Sequence, residues 1–183
     1  RAIGENLLGG KARFKGVAST VVVKIHDITI GKTGLSEKEA KEQGYDYGTA
    51  LIAGPDRPHY MKNARPVTLK LIVDSKTQKV LGVQGIGEGE VAKRIDVVAA
   101  VLNFGGTIDD LFDIDLSYAP PYNSPIDMVA TAANTVMNKL AHKFTGISAA
   151  EAKEKVEKKE AIFLDVRTPG ECQNIELECD GEI

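Results

Sequence analysis

The stretch PVTLKLIVD-SKTQ-KVLGVQGIG (66–87) contains two apolar runs separated by a polar four-residue turn. Runs rich in Val, Ile and Leu on both sides of such a turn predict an antiparallel β-hairpin. Two further segments, TVVVKIHDITI (20–30) and ALIAG (50–54), are also rich in strand-forming residues, and each predicts one strand. The sequence therefore predicts a sheet built from these four strands.

Helix signals lie between and after the strands. In GLSEKEAKEQG (34–44), Ser36 occupies the N-cap position and Glu39 completes a capping box. The segment EVAKRIDVVAAVLNFGG (90–106) has the apolar periodicity of one helical face and ends in two glycines. Thr107 can cap a further short helix that includes Leu111 and Phe112, and Asp110 follows it at the third position, as in a capping box. Strands in hairpin order with inserted helices predict an α+β fold, an antiparallel sheet with helices packed on one face.

The stretch YAPPYNSPID (118–127) precedes the next predicted helix. Ser124 is a candidate N-cap, Pro125 suits the first helical position and Asp127 is favourable in the first turn. The apolar face of this helix is predicted to comprise Ile126, Val129, Ala130, Ala133, Val136, Met137 and Leu140.

A new pattern begins near residue 145. Ser148 is predicted to cap the helix AAEAKEKVEKK, and a buried-type strand, AIFLDV (161–166), follows it. A helix followed by an apolar strand is typical of α/β domains, so we predict a domain boundary at this point.

The composition excludes several classes of protein. The 183 residues include 23 basic and 26 acidic side chains, a net charge of −3, which does not favour nucleic-acid binding. No apolar run approaches the roughly 20 residues of a membrane span, and the N-terminal residues do not resemble a signal peptide. The two cysteines, Cys172 and Cys179, have no His beside them, so neither a zinc cluster nor a disulfide framework is predicted. Two free thiols favour a cytoplasmic location.

The glycine-rich segment GVQGIGEGEV (82–91) superficially matches a dinucleotide-binding turn. Its glycines follow a G-x-G-x-G spacing rather than G-x-G-x-x-G. Glu88 and Glu90 also stand where a pyrophosphate would have to meet the helix N-terminus, and carboxylates repel phosphate there. We therefore predict a turn that leads into a helix, not a cofactor site.

Four segments together resemble one known domain: LLGGKARFKGVASTVVVKI (7–25), RPHYMKNARPVTLKLIVD (57–74), KVLGVQGIGEGEVAKRIDVVAAVL (79–102) and LFDIDLSYAPPYNSPIDMVATAANTV (111–136). They resemble the C-terminal dimerisation domain of flavin-dependent pyridine nucleotide-disulfide oxidoreductases. Within that family the resemblance is to the branch of coenzyme A-disulfide reductases and NADH oxidases.

The segment ISAAEAKEKVEKKEAIFLDVRTPGE (147–171) resembles the beginning of a rhodanese domain. Together the resemblances imply a tail of the FAD domain at 1–15, a dimerisation domain at 16–144, and the N-terminal part of a rhodanese domain, an incomplete α/β segment, at 145–183. Asp165 and Arg167 would support the rhodanese fold. Cys172 and Cys179 come too early to be the persulfide-forming cysteine of such a domain, and the residues after Glu171 depart from the usual pattern.

The resemblance implies that FAD and NAD(P)H are bound by domains N-terminal to Arg1, so no cofactor is expected on this chain. It also implies a homodimer, coenzyme A-type or small sulfur substrates, and no nucleic-acid or membrane partner. We expect the chain to be a fragment, inactive by itself, of an FAD-dependent NAD(P)H:disulfide, persulfide or polysulfide reductase fused to a rhodanese. The alternatives are a water- or peroxide-forming NADH oxidase and a non-enzymatic self-association module.

Two tyrosines are the candidate catalytic residues. By position in the resemblance, Tyr118 and its companion Tyr60 would handle protons in trans for thiolates of the partner subunit. A phenol with a pKa of about 10 is protonated at neutral pH and can donate to a departing thiolate. Pro120 and Pro121 limit the freedom of the backbone beside Tyr118. Either tyrosine could instead be an interface side chain with a purely structural role.

Four other aromatic or imidazole side chains, two near this region and two outside it, have weaker claims to a role. Tyr122 is predicted to be a packing residue and His59 a solvated loop residue, although His59 could assist Tyr60. His26 and His142 have no carboxylate partner in the sequence and are given no role.

Overall fold

The computed structural model describes residues 1–168 and 170. The chain divides into two compact units, Arg1–Phe144 and Thr145–Ile183. Within the described residues no helix is long and apolar enough to cross a membrane.

The first unit is built on one five-stranded antiparallel sheet. The strands are β1 (Val21–Ile25), β2 (Ile28–Gly34), β3 (Tyr47–Pro55), β4 (Pro66–Asp74) and β5 (Val80–Gly87), in the spatial order β1-β2-β5-β4-β3. The predicted hairpin is confirmed as β4 and β5. Their central position buries both strands, which explains their long apolar runs.

The single strand predicted at 20–30 is wrong, because the chain turns back within it. His26 and Asp27 form a turn between β1 and β2, and Ile25 pairs with Ile28. His26 adopts a φ of +52°, a conformation that His tolerates better than the β-branched residues around it. The segment therefore supplies two strands to the sheet.

The helices of the first unit are α1 (Ala2–Leu7), α2 (Glu37–Glu42), α3 (Val91–Asn103), α4 (Ile108–Phe112) and α5 (Met128–Leu140). The predicted capping boxes are confirmed: Ser36 with Glu39 begins α2, and Thr107 with Asp110 begins α4.

The predicted start of α5 at Ser124 is wrong. Asp127 is the N-cap instead, and its Oδ1 accepts a hydrogen bond of 2.8 Å from the backbone N–H of Val129. Ile126 therefore precedes the helix and is exposed. The buried face of α5 includes Met128 and Ala132, which were not predicted to belong to it, whereas Ala130 is only partly buried.

The core lies between one face of the sheet and helices α3, α4 and α5. Alternate residues of β4 point into it, and Val91, Ile95 and Val98 of α3 cover β2 and β5. Helix α5 covers β3 and β4. The buried β4 residues on this face are Val67, Leu69, Leu71 and Val73. The predicted α+β class, an antiparallel sheet with helices packed on one face, is confirmed.

The opposite face of the sheet is largely open. The register places Val23, Ile30 and Ile86 side by side across β1, β2 and β5, and all three are exposed. The short helix α2 lies over part of this face, where Glu37 pairs with Lys70 and Glu39 pairs with Lys32.

The glycines of β5 allow α3 to approach the sheet closely. A Cβ atom on Gly85 would lie 2.9 Å from Leu69 Cδ2 and 3.0 Å from Val91 Cγ1. Most of the glycine-rich segment is thus a strand packed beneath a helix.

The second unit contains one described helix, α6 (Ala149–Glu157), and the predicted N-cap Ser148 is confirmed. Glu151 completes a capping box with Ser148, which was not predicted. The strand predicted at 161–166 is wrong: these residues form no strand and are exposed. A strand requires a neighbouring strand for its backbone hydrogen bonds, and none is found among the described residues of this unit.

Candidate functional site

The tyrosine corner, residues 118–123, is a tight turn outside any helix or strand. The backbone N–H groups of Tyr122 and Asn123 both donate to the carbonyl oxygen of Ala119, at 2.9 and 3.0 Å. The two intervening prolines have no N–H to donate, so the turn is defined by these bonds and by the fixed proline φ angles. Tyr118 is 51% exposed and Tyr122 is 69% exposed.

The tyrosine loop, residues 56–65, connects β3 to β4 and carries Tyr60. Asp56 closes the loop: its N–H donates to the Arg65 carbonyl at 2.9 Å, and its Oδ1 accepts from the Arg65 N–H at 3.0 Å. Tyr60 is 66% exposed and its ring meets the His59 ring edge-on, with the centroids 5.9 Å apart.

The hydroxyls of Tyr60 and Tyr118 make no hydrogen bond to any of residues 1–168 or 170, and no hydrogen bond or ring contact joins the two tyrosines. Tyr47 differs, because its hydroxyl donates to Glu37 Oε1 at 3.3 Å. The two candidate phenols thus face outward with their polar groups available to a ligand or to another chain.

A group of buried polar residues lies between the two tyrosine segments. This arginine cluster consists of Asp56, Arg57, Arg94, Asn123 and Asp127. Buried polar side chains are costly unless they are paired, and here two carboxylates balance two guanidinium groups.

Arg94, only 1% exposed, is the centre of the cluster. Its Nη1 donates to the Glu90 carbonyl at 3.0 Å, and its Nη2 donates to the Asp56 carbonyl at 2.7 Å and to Asn123 Oδ1 at 3.1 Å. Asp127 Oδ2 lies 3.0 Å from the same Nη2, although the angle does not make a hydrogen bond. Arg94 thus connects α3 to the tyrosine loop, the tyrosine corner and the start of α5.

Arg57 makes the second set of connections. Its Nε and Nη2 bind both oxygens of Asp56, at 3.0 and 2.7 Å, while its Nη1 donates to the Pro121 carbonyl at 2.8 Å. Nη2 also lies 3.4 Å from Glu90 Oε1. A planar fork with five N–H donors is suited to such a junction, and a lysine is not.

These contacts determine the charge states of Asp56 and Arg57. Burial raises the pKa of the Asp56 carboxyl, but the Arg57 hydrogen bonds and the backbone N–H groups of Arg65 and Glu90 outweigh it, so the pKa is lowered overall. The hydrogen bonds to Asp56 raise the pKa of the Arg57 guanidinium. Asp56 and Arg57 are therefore an ion pair at neutral pH.

The turn between β5 and α3 does not fit a dinucleotide phosphate. The backbone N–H of Glu90, which a phosphate would need, donates to Asp56 Oδ2 at 3.2 Å. Glu88 and Glu90 add negative charge at the same place. A shallow cleft of about 270 Å³ beside this turn is lined by Arg57, Glu90, Lys93, Ser117 and Tyr122.

The arginine cluster was missed by the sequence analysis. The only signal was the position of Arg94, which follows Val91 by three residues and precedes Val98 by four, and so shares the apolar face of α3. A charged residue on a buried helical face requires a partner, but its partners Asp56, Asn123 and Asp127 are distant in sequence.

The remaining candidate residues lie apart from the tyrosines in sequence and in element. His26 is in the β1–β2 turn, and His142 follows α5 with a φ of +54°. In the second unit, Arg167 Nη2 lies 2.7 Å from Asp165 Oδ2. Cys172 and Cys179 fall outside the described residues. Within the described residues no group of three His, Cys, Asp or Glu side chains could hold a metal ion.

Comparison with known proteins identifies the family. Residues 20–130 match the model of the pyridine nucleotide-disulphide oxidoreductase dimerisation domain. The chain belongs to this family. The matched residues include all five strands and both tyrosine segments.

Three relatives show which members of the family it resembles. An NAD(P)H coenzyme A polysulfide/persulfide reductase of Pyrococcus horikoshii is 47% identical over 119 residues, 65% of this chain and 26% of the relative. The NAD-dependent persulfide reductase of A. fulgidus is 48% identical, with a TM-score of 0.78 over 81% of this chain and 28% of the other. The reduced CoADR-RHD of Bacillus anthracis is 32% identical, with a TM-score of 0.86 over 97% of this chain and 32% of the other.

The dimerisation domain is therefore close to those of coenzyme A-disulfide and persulfide reductases. The chain spans about a quarter to a third of the length of the relatives it matches.

Proposed function

We propose that this chain is the dimerisation domain of an FAD- and NAD(P)H-dependent reductase of coenzyme A-linked disulfides, persulfides or polysulfides. In this proposal the domain forms a homodimer and presents Tyr118 to the partner subunit's reactive thiolate. The observation that supports it is the tyrosine corner, a rigid turn with an exposed phenol whose hydroxyl makes no hydrogen bond to the described residues.

The role of Tyr118 is to hold and deliver a proton. When a disulfide or persulfide is cleaved by reduction, the leaving sulfur acquires negative charge, and a phenol O–H can donate to it. The hydroxyl of Tyr118 has no competing acceptor among the described residues, and its backbone is restrained by the prolines that follow. Such a donor, fixed in advance, requires little rearrangement when the charge develops.

Tyr60 is the companion donor in this proposal. Its ring is exposed beside His59, and its loop is closed by Asp56 and Arg65. Tyr122 lies in the same corner but is assigned no proton transfer, which makes it a matched control for Tyr118.

FAD and NAD(P)H, under this proposal, are bound by other parts of a longer protein. The turn before α3 does not fit a dinucleotide phosphate, because the Glu90 backbone N–H already donates to Asp56 Oδ2. We further propose a cytoplasmic location and assign residues 145–183 to the start of a rhodanese domain, by the resemblance of 147–171 to that family.

Reduction of sulfur substrates is favoured over the NADH oxidase alternative. The identities of 47% and 48% are with proteins named as polysulfide or persulfide reductases. Oxygen consumption with NADH and no sulfur substrate distinguishes the two: rapid stoichiometric uptake of oxygen by the full-length enzyme would favour the oxidase.

The proton-donor role is tested in the full-length reductase by Tyr118→Phe, with Tyr122→Phe as the control. We expect Tyr118→Phe to lower kcat for disulfide or persulfide reduction about a hundredfold. Flavin reduction by NAD(P)H, followed by stopped-flow absorbance, is expected to be unchanged in both variants. Full turnover by Tyr118→Phe would contradict the assignment.

The homodimer is tested by sedimentation of the 183-residue chain at micromolar concentration. A strict monomer would contradict both the dimer and the action of Tyr118 on a partner subunit. A dimer whose full-length form lacks reductase activity would favour the third alternative, a self-association module.

A further inference from the structure

The tyrosine corner has few attachments to the rest of the domain. Its two internal backbone hydrogen bonds are both accepted by the Ala119 carbonyl. Among the described residues, the side chains that reach it from elsewhere are Arg57, through the Pro121 carbonyl at 2.8 Å, Arg94, through Asn123 at 3.1 Å, and Lys93, at 3.5 Å from the Tyr122 carbonyl. The Lys93 contact is the longest and involves a flexible side chain, so the two arginines carry the attachment.

Arg57 differs from Arg94 in also belonging to the tyrosine loop. It lies three residues before Tyr60, and its Nε and Nη2 are fixed on the Asp56 carboxylate that closes the loop. Its remaining nitrogen binds Pro121, three residues after Tyr118. A single guanidinium group thus connects the segments that carry the two candidate proton donors.

We propose that Arg57 is a positioning residue that fixes Tyr60 and Tyr118 relative to each other before any substrate or partner arrives. The proposal rests on the proposed function for its catalytic consequence, since a fixed pair of phenols matters only if they act on a thiolate. Its geometric part, the restraint of one segment by the other, is independent of that function.

The chemistry of the contact explains why arginine is required. The Asp56 carboxylate accepts hydrogen bonds from Nε and Nη2 of the guanidinium group, and Nη1 donates to the Pro121 carbonyl. A lysine ammonium would retain the positive charge beside Asp56 but lacks a fork that binds both groups in one plane. Arg57→Lys therefore removes the connection with little change in charge.

The catalytic test is a double-mutant cycle in the full-length reductase. Arg57→Lys is expected to lower kcat for sulfur-substrate reduction about tenfold, because small misplacements of a donor are costly, with KM and the rate of flavin reduction unchanged. In the Tyr118→Phe background the same change is expected to have no further effect beyond about twofold. Arg65→Lys, an exposed arginine of the same loop, is the control and is expected to be fully active.

The outcomes distinguish the positioning role of Arg57 from the proposed function of Tyr118. If Tyr118→Phe is slow while Arg57→Lys is fully active, the positioning role is wrong and the proposed function stands. If the two effects multiply, Arg57 does not act through Tyr118 and the proposal is again overturned. If Tyr118→Phe is fully active, the proposed function fails, and the geometric claim is decided by a distance measurement.

That measurement uses spin labels on the 183-residue chain, at Tyr60→Cys and Tyr118→Cys, with Cys172→Ser and Cys179→Ser. The labelled chain is mixed with an excess of unlabelled chain, so that each labelled subunit of the proposed homodimer pairs with an unlabelled one and only the distance within one subunit is measured. With Arg57 present, pulsed electron resonance is expected to give one narrow distribution of this distance, which broadens at least twofold in Arg57→Lys. A broad distribution in the chain that retains Arg57 would overturn the proposal even if Arg57→Lys failed to fold.

Discussion

Replacing Arg94 by Met tests whether the arginine cluster stabilises the domain. The guanidinium group is 1% exposed and donates hydrogen bonds to Glu90, Asp56 and Asn123. Asp127, 5% exposed, lies beside it at 3.0 Å. Met has a similar length and fills the space, but it leaves the carboxylate of Asp127 buried without a counter-ion.

The expected decrease in the free energy of unfolding can be calculated in two ways. Three hydrogen bonds from a charged donor, at about 1.5 kcal/mol each, amount to about 4.5 kcal/mol. Removal of one partner of a buried ion pair costs about 3–5 kcal/mol in other proteins. We therefore expect Arg94→Met to lower the free energy of unfolding by about 4 kcal/mol.

Urea unfolding of the 183-residue chain, followed by circular dichroism, measures this loss. The double variant Arg94→Met/Asp127→Asn is expected to recover about 2 kcal/mol, because Asn caps α5 nearly as well and carries no charge. Lys93→Met, on the same helix, is the control and is expected to change stability by less than about 0.5 kcal/mol. A loss below about 1 kcal/mol in Arg94→Met, or no recovery in the double variant, would refute the reasoning.

Two further predictions concern α2 and the sheet. The backbone N–H and hydroxyl of Ser36 lower the pKa of Glu39 to about 2 from 4.5, so its contribution to stability is complete above pH 4.5 and lost as the pH falls toward 2. Glu39→Gln keeps the capping geometry but removes the charge. In urea unfolding, the variant is expected to be less stable than the wild type at about pH 5 and equally stable near pH 2. An equal loss of stability at both pH values would contradict this prediction. Gly85→Ala places a Cβ 2.9 Å from Leu69 Cδ2 and is expected to cost about 1–3 kcal/mol. Gly54→Ala, with nothing within 4 Å, is the control, and equal midpoints for the two would exclude close packing at Gly85.

Local signals in the sequence predicted most of the fold. The capping boxes at Ser36 and Thr107 and the hairpin of β4 and β5 depend on residues close together in the chain, and all were confirmed. The turn at His26 was missed because the segment lacks the Gly or Asn-Gly that usually marks a two-residue hairpin.

The errors arose where a distant partner decides the structure. Ser124 and Asp127 are both acceptable N-caps, and Asp127 is the one that also lies beside Arg94, 33 positions earlier in the chain. The resemblance pointed to the two tyrosines of the candidate site. The arginine cluster, which connects the tyrosine loop to the tyrosine corner, could not be predicted from the sequence. The catalytic roles of Tyr60 and Tyr118 remain predictions.

The strand order of the sheet also has a consequence for how the chain folds. β4 and β5 are joined by only residues 75–79, whereas β2 and β5 are separated by residues 35–79. Closing the longer loop costs about 2 kcal/mol more in chain entropy, since the cost rises with the logarithm of loop length. We therefore expect the β3-β4-β5 meander to form early and the β1-β2 hairpin to dock late, so that substitutions in β1 accelerate unfolding while leaving the folding rate nearly unchanged.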